Sequence, residues 1–268
     1  MPDLSLAETA QLAMLLEISV NTKPGNIDRF HDYEDTRFQH FLASAVLARE
    51  VFEKVPELTI GEAMFEAVRK TNGYSGGNTH FGAFILLLPL IKGHGITGAC
   101  DVVKQTTVED AVLFYKAFGE TRVRVSKGDG MDVNDPASIE MLREKHMTML
   151  DVMAYSSGHD MVAAEWMNGF SLTRKAADLL KQKDGVDNIQ QMFLTLMTEY
   201  PDTFIAKKFG TSTSYSVMKR AQQVLAGEVS IEKFDEECIH GGINPGSLAD
   251  ICIAGIFTAL LEGWKWDC

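Results

Sequence analysis

A single acid in a long apolar helical stretch is the first candidate for chemistry in this chain. The stretch NPGSLADICIAGIFTALL carries Asp250 one turn after its predicted start. Asn244 is a preferred N-cap residue, Pro245 suits the first helical position, and Gly246 leaves backbone amides uncovered for a phosphate. Because Asp250 shares a face with Gly246 and Ser247, a magnesium ion could bridge its carboxylate to that phosphate. The alternative is that Asp250 faces solvent or pairs with a structural lysine or arginine.

A second glycine-rich helix start precedes a run that is apolar on all sides. In SGGNTHFGAF, Asn78 can cap the helix, and Thr79 and His80 lie at its first turn. A histidine there could act as an acid or a base, or bind phosphate. It could equally be a structural residue with its hydrogen bonds satisfied, and the motif alone leaves both roles open.

Acidic residues crowd a third segment, EISVNTKPGNIDRFHDYEDTRF. Glu17 ends the apolar face of the first predicted helix, and Asp28 follows the turn that KPGN imposes. Neighbouring acids suit magnesium binding or the stabilisation of a developing cation, and Lys23 could meet a phosphate. The alternative is an ordinary solvated loop.

Two further segments give weaker signals. SSGHDMVAAEWMNGF places Asp160 and Glu165 five residues apart, so they share a helix face only in part. PDTFIAKKFGTSTS places Asp202, Lys207 and Lys208 before a glycine stop and a Thr/Ser cluster. A solvated helix end explains either segment.

Composition narrows the class of protein. The 268 residues carry 37 acidic and 25 basic side chains, a formal net charge of −12, which disfavours nucleic-acid and anionic-membrane partners. The four cysteines show no zinc or disulfide spacing. The most apolar run, residues 81–91, is shorter than the roughly 20 residues of a membrane span, and MPDLSLAETAQ lacks signal-peptide features. We therefore expect a cytoplasmic protein without a membrane partner.

Helical periodicity dominates the chain, and no segment alternates as a strand does. The sequence predicts an all-α fold, a single compact array of about a dozen helices in one domain, residues 1–268, around a central buried apolar helix that bends at Pro89. The loop at 126–136 is the best candidate for a boundary. The predicted helices are 4–20, 37–54, 60–70, 79–91, 97–106, 107–119, 138–156, 160–183, 187–199, 211–226, 230–238 and 245–264.

Four of these motifs, in this order, resemble the triphosphoribosyl-dephospho-CoA synthase family. The family pattern has a KPG-x-x-D, a G-x-NTH-x-G, a D-x-x-I-x-x-K-x-G and an NPG-x-x-AD segment. The corresponding segments here are KPGNID, GGNTHFG, DTFIAKKFG and NPGSLAD, and together they span nearly the whole chain. The resemblance implies an all-α pentosyltransferase in which a ribose hydroxyl of 3'-dephospho-CoA displaces adenine from C1 of the ribose of ATP, with Mg²⁺ as cofactor.

The resemblance also implies roles for the candidate residues. Breaking a glycosidic bond develops positive charge at the sugar carbon, which a nearby carboxylate stabilises. Glu17 and His80 are the candidates for proton transfer, and Asp28, Asp160 and Asp250 for magnesium. The candidates for binding the nucleotide and its phosphates are Lys23, Asn78, Thr79, Lys208, Asn244, Gly246 and Ser247.

Two positions depart from the lyase-linked members of that family. Phe81 stands where those members usually have lysine, and NPGSLAD is an altered form of the last motif. The pattern looks closer to a branch of archaea and one-carbon-metabolising bacteria. A phosphoribosyl pyrophosphate donor, a pterin acceptor of the tetrahydromethanopterin type, transfer to water and a non-catalytic nucleotide-binding protein are therefore the alternatives. Whether the chain forms a homodimer is left open.

Overall fold

The computed structural model describes residues 3–73, 79–121 and 136–268. These residues form fifteen α-helices and no β-strand, which confirms the all-α prediction. The helices are α1 (Leu6–Ser19), α2 (Phe38–Lys54), α3 (Ile60–Thr71), α4 (Phe81–Lys92), α5 (Ile96–Lys104), α6 (Val108–Gly119), α7 (Pro136–Glu144), α8 (Met149–Ser156), α9 (Met161–Asn168), α10 (Ser171–Lys181), α11 (Asn188–Glu199), α12 (Thr203–Phe209), α13 (Thr211–Leu225), α14 (Ile231–Gly241) and α15 (Gly246–Leu261).

The extra helices come from breaks that periodicity did not reveal. The predicted helix 138–156 is α7 and α8, because Thr148 starts a new helix in a capping box with Asp151. The predicted helix 160–183 is α9 and α10, because Gly169 and Phe170 have positive φ angles of 74° and 60°. The short helix α12 was not predicted at all. Of the candidate boundary loop at 126–136, residues 126–135 lie outside the described residues.

Two helices, rather than one, occupy the centre. All residues of α4 are buried except Gly82 and Lys92, as predicted for the central helix. From residue 247 to residue 259, α15 is buried at every position except Asp250. It packs against α1, α4, α9, α10, α11 and α12. One hydrophobic core includes residues from both sides of the stretch 122–135.

The proline within α4 is compensated by a tryptophan from α9. The helix continues past Pro89 to Lys92, so the predicted bend at Pro89 is not where the chain turns sharply. The sharp change of direction, 102°, lies between α4 and α5, where His94 and Gly95 have positive φ. Pro89 has no N–H to give to the carbonyl of Ile85. The indole Nε1 of Trp166 donates to that carbonyl at 3.0 Å instead.

Hydropathy along the described residues gives no single helix that is both long and apolar enough to cross a membrane. Within the described ranges, only α4 and α5 taken together reach that length and composition, across their 102° bend.

Replacing Trp166 with Phe should lower the free energy of unfolding by about 1–3 kcal/mol, because the Ile85 carbonyl is left buried without a donor. Pro89→Ala restores a backbone N–H to that carbonyl. The double variant should therefore be more stable than the sum of the single effects predicts, as measured by urea denaturation in a double-mutant cycle.

The matched control is Trp264→Phe. The indole of Trp264 donates to the carbonyl of Lys183, in a segment that contains no proline. This change should be additive with Pro89→Ala. Additivity of Trp166→Phe with Pro89→Ala would show that the indole does not replace the missing N–H.

Candidate active site

The KPGN turn is packed against the segment that leads into α15. Gly25 has φ +74°, its N–H donates to Asp235 Oδ1 at 2.9 Å, and a Cβ there would overlap the carbonyl oxygen of Ile243. Asn26 Nδ2 donates to Asn244 Oδ1 at 2.9 Å. The first and last motifs, more than 200 residues apart in sequence, are therefore in direct contact.

The lysine of this turn is buried rather than open to a ligand. Lys23 has no exposed surface, and its ammonium forms an ion pair with Glu17, which is also buried. Its Nζ also donates to Asn26 Oδ1 at 2.7 Å. In this arrangement Lys23 neutralises Glu17, and the expected contact between Lys23 and a phosphate has no support in the geometry. Burial raises the pKa of Glu17 in spite of this partner.

The carboxylate of Asp28, which follows the turn, accepts hydrogen bonds from backbone amides. Asp28 Oδ1 accepts from the N–H groups of Phe30 at 2.7 Å and His31 at 3.1 Å, and Oδ2 accepts from that of Lys23 at 3.2 Å. Such a carboxylate shapes the loop that follows it. The expectation of a metal ligand at Asp28 is therefore not met by its surroundings.

The acid of α15 lies against the start of α4. A Cβ at Gly82 would overlap the Asp250 carboxylate, and the N–H of Ala83 donates to that carboxylate. Burial raises the pKa of Asp250 well above its usual value, and the nearby carboxylates of Glu17, Asp202 and Asp160 raise it further. Asp250 is half-buried. The alternative, a pairing of Asp250 with a lysine or arginine, does not occur among the described residues, and the acid lies at a helix N-terminus.

The histidine at the same helix start is deeply buried. His80 is the N-cap residue of α4, a position that the sequence analysis gave to Asn78, which lies outside the described residues. Its Nδ1 is 2.8 Å from Ser44 Oγ, and among the described residues its buried Nε2 has no partner. Burial, and then the charge of Lys23, lower the pKa of His80 to about 3. The ring is therefore neutral near pH 7, and Thr79 beside it is also buried.

The start of α15 is capped from another helix. Its N-cap residue is Pro245 and not Asn244, whose side-chain oxygen is taken by Asn26. Asp202 Oδ2 accepts from the N–H of Leu248 at 2.8 Å. The amides of Gly246 and Ser247 therefore remain as the donors without a partner at this helix end, among the described residues.

A threonine next to Asp202 joins the starts of three helices. Thr203 Oγ1 accepts from the N–H of Met161 at 3.1 Å and donates to Ser247 Oγ at 3.1 Å. The first turns of α9, α12 and α15 are held together by these two bonds. Sequence reasoning missed Thr203 and read Asp202 as a solvated helix end. An Asp-Thr pair before a short apolar stretch is a helix N-cap signal that could have revealed both.

The remaining predicted residues lie at the rim of this region. Asp160 Oδ1 caps α9 by accepting from Val162 at 2.9 Å and Ala163 at 3.2 Å, and Oδ2 pairs with Lys207. Lys208 is exposed, with Nζ 5.1 Å from the centroid of the Phe209 ring. Among the described residues no group of three or more His, Cys, Asp or Glu side chains could hold a metal ion. The three predicted metal ligands therefore do not form one cluster.

Replacing Asp250 with Asn should stabilise the ligand-free protein at pH 7–8. The amide can still accept from Ala83 but carries no charge near the other acids. Because the pKa of Asp250 is raised in the folded state, its stabilising contribution is lost as pH rises, so the gap between the variant and the wild type should widen with pH. We expect the Tm to rise by roughly 2–4 °C in a thermal scan. Asp178→Asn, at an exposed helix position, should leave the Tm nearly unchanged, and a lower Tm for Asp250→Asn would contradict the assigned surroundings.

Replacing His80 with Gln should make the free energy of unfolding decrease less steeply as the pH falls into the mildly acidic range. The unfolded chain binds a proton at this residue near pH 6.5, while the folded protein does so only near pH 3. Wild-type stability therefore falls as pH drops below about 6.5, and His80 contributes about 1.4 kcal/mol per pH unit to that slope. Urea denaturation at pH 4.5–6.5 measures the difference. The control His240→Gln, on an exposed surface, should keep the wild-type slope, and an unchanged slope for His80→Gln would mean that His80 titrates normally.

Comparisons with known proteins bear on this site as a whole. A family model described as ATP:dephospho-CoA triphosphoribosyl transferase matches residues 3–268. A search of curated proteins finds no match. Among solved structures, the crystal structure of a "putative triphosphoribosyl-dephospho-coA synthase" from Archaeoglobus fulgidus is similar to this chain. The two are 25% identical with a TM-score of 0.73, over 84% of this chain and 100% of the other. Because the family model covers almost every residue, the chain belongs to the ATP:dephospho-CoA triphosphoribosyl transferase family and is a pentosyltransferase that transfers a triphosphoribosyl group to dephospho-CoA.

Proposed function

We propose that ATP, the donor, binds across the starts of α4 and α15, with its ribose C1 beside Asp250. The observation that carries this proposal is the position of Asp250. Its carboxylate lies against Gly82 and Ala83 at the N-terminus of α4, and Asp250 itself belongs to the first turns of α15. A substrate that carries a triphosphate and develops positive charge at its reacting carbon in the transition state fits two such helix starts with an acid between them.

The triphosphate is assigned to the amides of Gly246 and Ser247. Gly82 and Gly25 have a packing reason to be glycine, but Gly246 has none. A Cβ at Gly246 would make only ordinary contact, at 3.4 Å, with Phe204. The absence of a side chain there leaves room for a phosphate to reach the backbone. Lys208 is exposed and near enough to the preceding loop, 3.5 Å from the carbonyl of Gly242, to serve the outer phosphates.

Magnesium fits this site as an ion that arrives with the nucleotide. Asp250 is the carboxylate whose position suits it, and Asp160 lies within electrostatic range of Asp250. Mg²⁺ commonly binds through one or two carboxylates together with substrate phosphates and water. A site of that kind needs no cluster of three acids, and Asp28 has no part in it. The ion would neutralise charge on the triphosphate, and Asp250 and Asp160 would orient it.

The transfer breaks the bond between C1 of the ribose and a ring nitrogen of adenine. It forms a bond from C1 to a hydroxyl oxygen of dephospho-CoA, and the hydroxyl proton leaves to a base while adenine departs with a proton. Asp250 stabilises the positive charge that develops at C1. Glu17, with its raised pKa, is better matched to accepting a proton than His80, which is neutral and weakly basic. His80 offers to the substrate its Nε2, which has no hydrogen-bond partner among the described residues.

The alternative readings have less support. Nothing in the described residues favours a pterin acceptor, a phosphoribosyl pyrophosphate donor or a homodimer over a CoA-type substrate and ATP. A non-catalytic nucleotide-binding protein would not need a half-buried acid at two helix N-termini.

Incubation with ATP, Mg²⁺ and dephospho-CoA should release adenine and give a dephospho-CoA product enlarged by the triphosphoribosyl group. Chromatography and mass spectrometry measure both. Asp250→Asn should lower the rate of transfer by about 100-fold or more, because the negative charge of Asp250 beside the reacting carbon is lost. The control Asp178→Asn should keep wild-type activity.

The stability of Asp250→Asn separates this result from misfolding, since the same variant should have an equal or higher Tm. Wild-type rates in Asp250→Asn would contradict the role of Asp250. Adenine release without an enlarged product would favour transfer to water, and the absence of adenine release would contradict ATP as the donor.

A further inference from the structure

One aromatic side chain at the rim of the site is exposed to solvent. Phe204, in the first turn of α12, keeps 44% of its surface in contact with solvent. The turn around it is fixed. Asp202 Oδ1 accepts from Ile205 at 2.9 Å, Asp202 Oδ2 accepts from Leu248, and Ser214 Oγ donates to the Asp202 carbonyl at 2.7 Å. The hydrogen bonds of this turn therefore fix the backbone that carries Phe204.

The ring borders the proposed phosphate site. The heavy atoms nearest to a Cβ built on Gly246 are three carbons of the Phe204 ring, at 3.4, 3.6 and 3.8 Å. Phe204 is thus a neighbour of the amides at the start of α15. Phe209, the other exposed phenylalanine of α12, differs, because the ammonium of Lys208 already lies over its ring. Of these two rings, Phe204 is the one that lies beside the start of α15, and it is the more exposed of the two.

We propose that Phe204 is a specificity-determining residue that stacks on the adenine base of a substrate. The inference rests on the proposed phosphate site at α15 and adds the recognition of the base. A flat π system is the ligand that an exposed aromatic ring beside a phosphate site recognises, and base–aromatic stacking changes affinity by about tenfold. ATP and dephospho-CoA both carry adenine, so either substrate could supply the base.

Binding measurements on Phe204→Leu and Phe204→Tyr test this proposal. Leucine keeps apolar contact with Gly246 but has no aromatic face, and tyrosine keeps the face. Calorimetry with ATP and Mg²⁺, with dephospho-CoA, and with inorganic tripolyphosphate gives the three dissociation constants. Phe204→Leu should weaken the binding of one of the two nucleotides by about tenfold and leave the binding of tripolyphosphate unchanged. Phe204→Tyr should bind both nucleotides within about twofold of the wild type, as should the control Tyr215→Leu, at an exposed aromatic residue of α13.

The outcomes separate the two proposals. A loss of affinity for ATP alone means that the adenine of the donor stacks on Phe204. A loss of affinity for dephospho-CoA alone means that the adenine of the acceptor stacks on Phe204. Unchanged binding of both nucleotides, or an equal loss of ATP and tripolyphosphate, overturns the stacking role. If the wild type does not bind tripolyphosphate, the phosphate site at α15 fails, and the nucleotide affinities of Phe204→Leu still decide the role of Phe204.

Discussion

The contact between the Asp250 carboxylate and the backbone of Gly82 sets the arrangement of the site. A side chain at position 82 would overlap that carboxylate, so α4 and α15 can meet at their N-termini only because residue 82 is glycine. Both helices are apolar and buried almost throughout, and their packing fixes the point where their positive ends converge. The acid of one helix then accepts from an amide of the other, and α1, α9 and α12 contribute the groups around it.

The ionisable groups near this contact are poorly solvated, and that governs their chemistry. Glu17 and Lys23 are paired in the core, while Asp250 has acids for neighbours. Buried charges of this kind add little to stability and can lower it, since desolvation opposes their attraction. Positive charge that develops at the reacting carbon of a bound substrate relieves the repulsion between Asp250 and the neighbouring acids. A cation beside the phosphates of that substrate has the same effect. Such residues are retained for function at a cost in stability.

The other acids of the motifs have structural roles, which Asp160 combines with its proposed part in orienting magnesium. Asp28 organises the loop after the KPGN turn, Asp160 caps α9, and Asp202 caps both α12 and α15. With Thr203, these contacts hold separate helix starts in one place. The motifs of the chain therefore contain two kinds of residue, those that face the substrate region and those that position the backbone around it.

The sequence by itself determined the helical class, the burial of α4, and the five segments from which the site is built. These follow from local properties, because periodicity, capping residues and turn residues act over a few positions. The sequence did not reveal the breaks at Thr148 and Gly169, where one residue's cap or φ angle outweighs a continuous apolar pattern. It also put Asp250 and His80 in one predicted site through the order of the motifs, and both lie at the start of α4.

Only the tertiary structure decided what each polar side chain contacts. Lys23 was expected to meet a phosphate and instead pairs with Glu17, because the turn carries it into the core. Asn244 was expected to cap α15, but Asn26 takes its side-chain oxygen and Asp202 supplies the cap. A hydrogen bond across 46 or 218 residues leaves no trace in local spacing, since it depends on how the helices pack. The sequence supplies the polar groups. Helix packing decides which of them, among the described residues, are left without a partner and can bind a substrate.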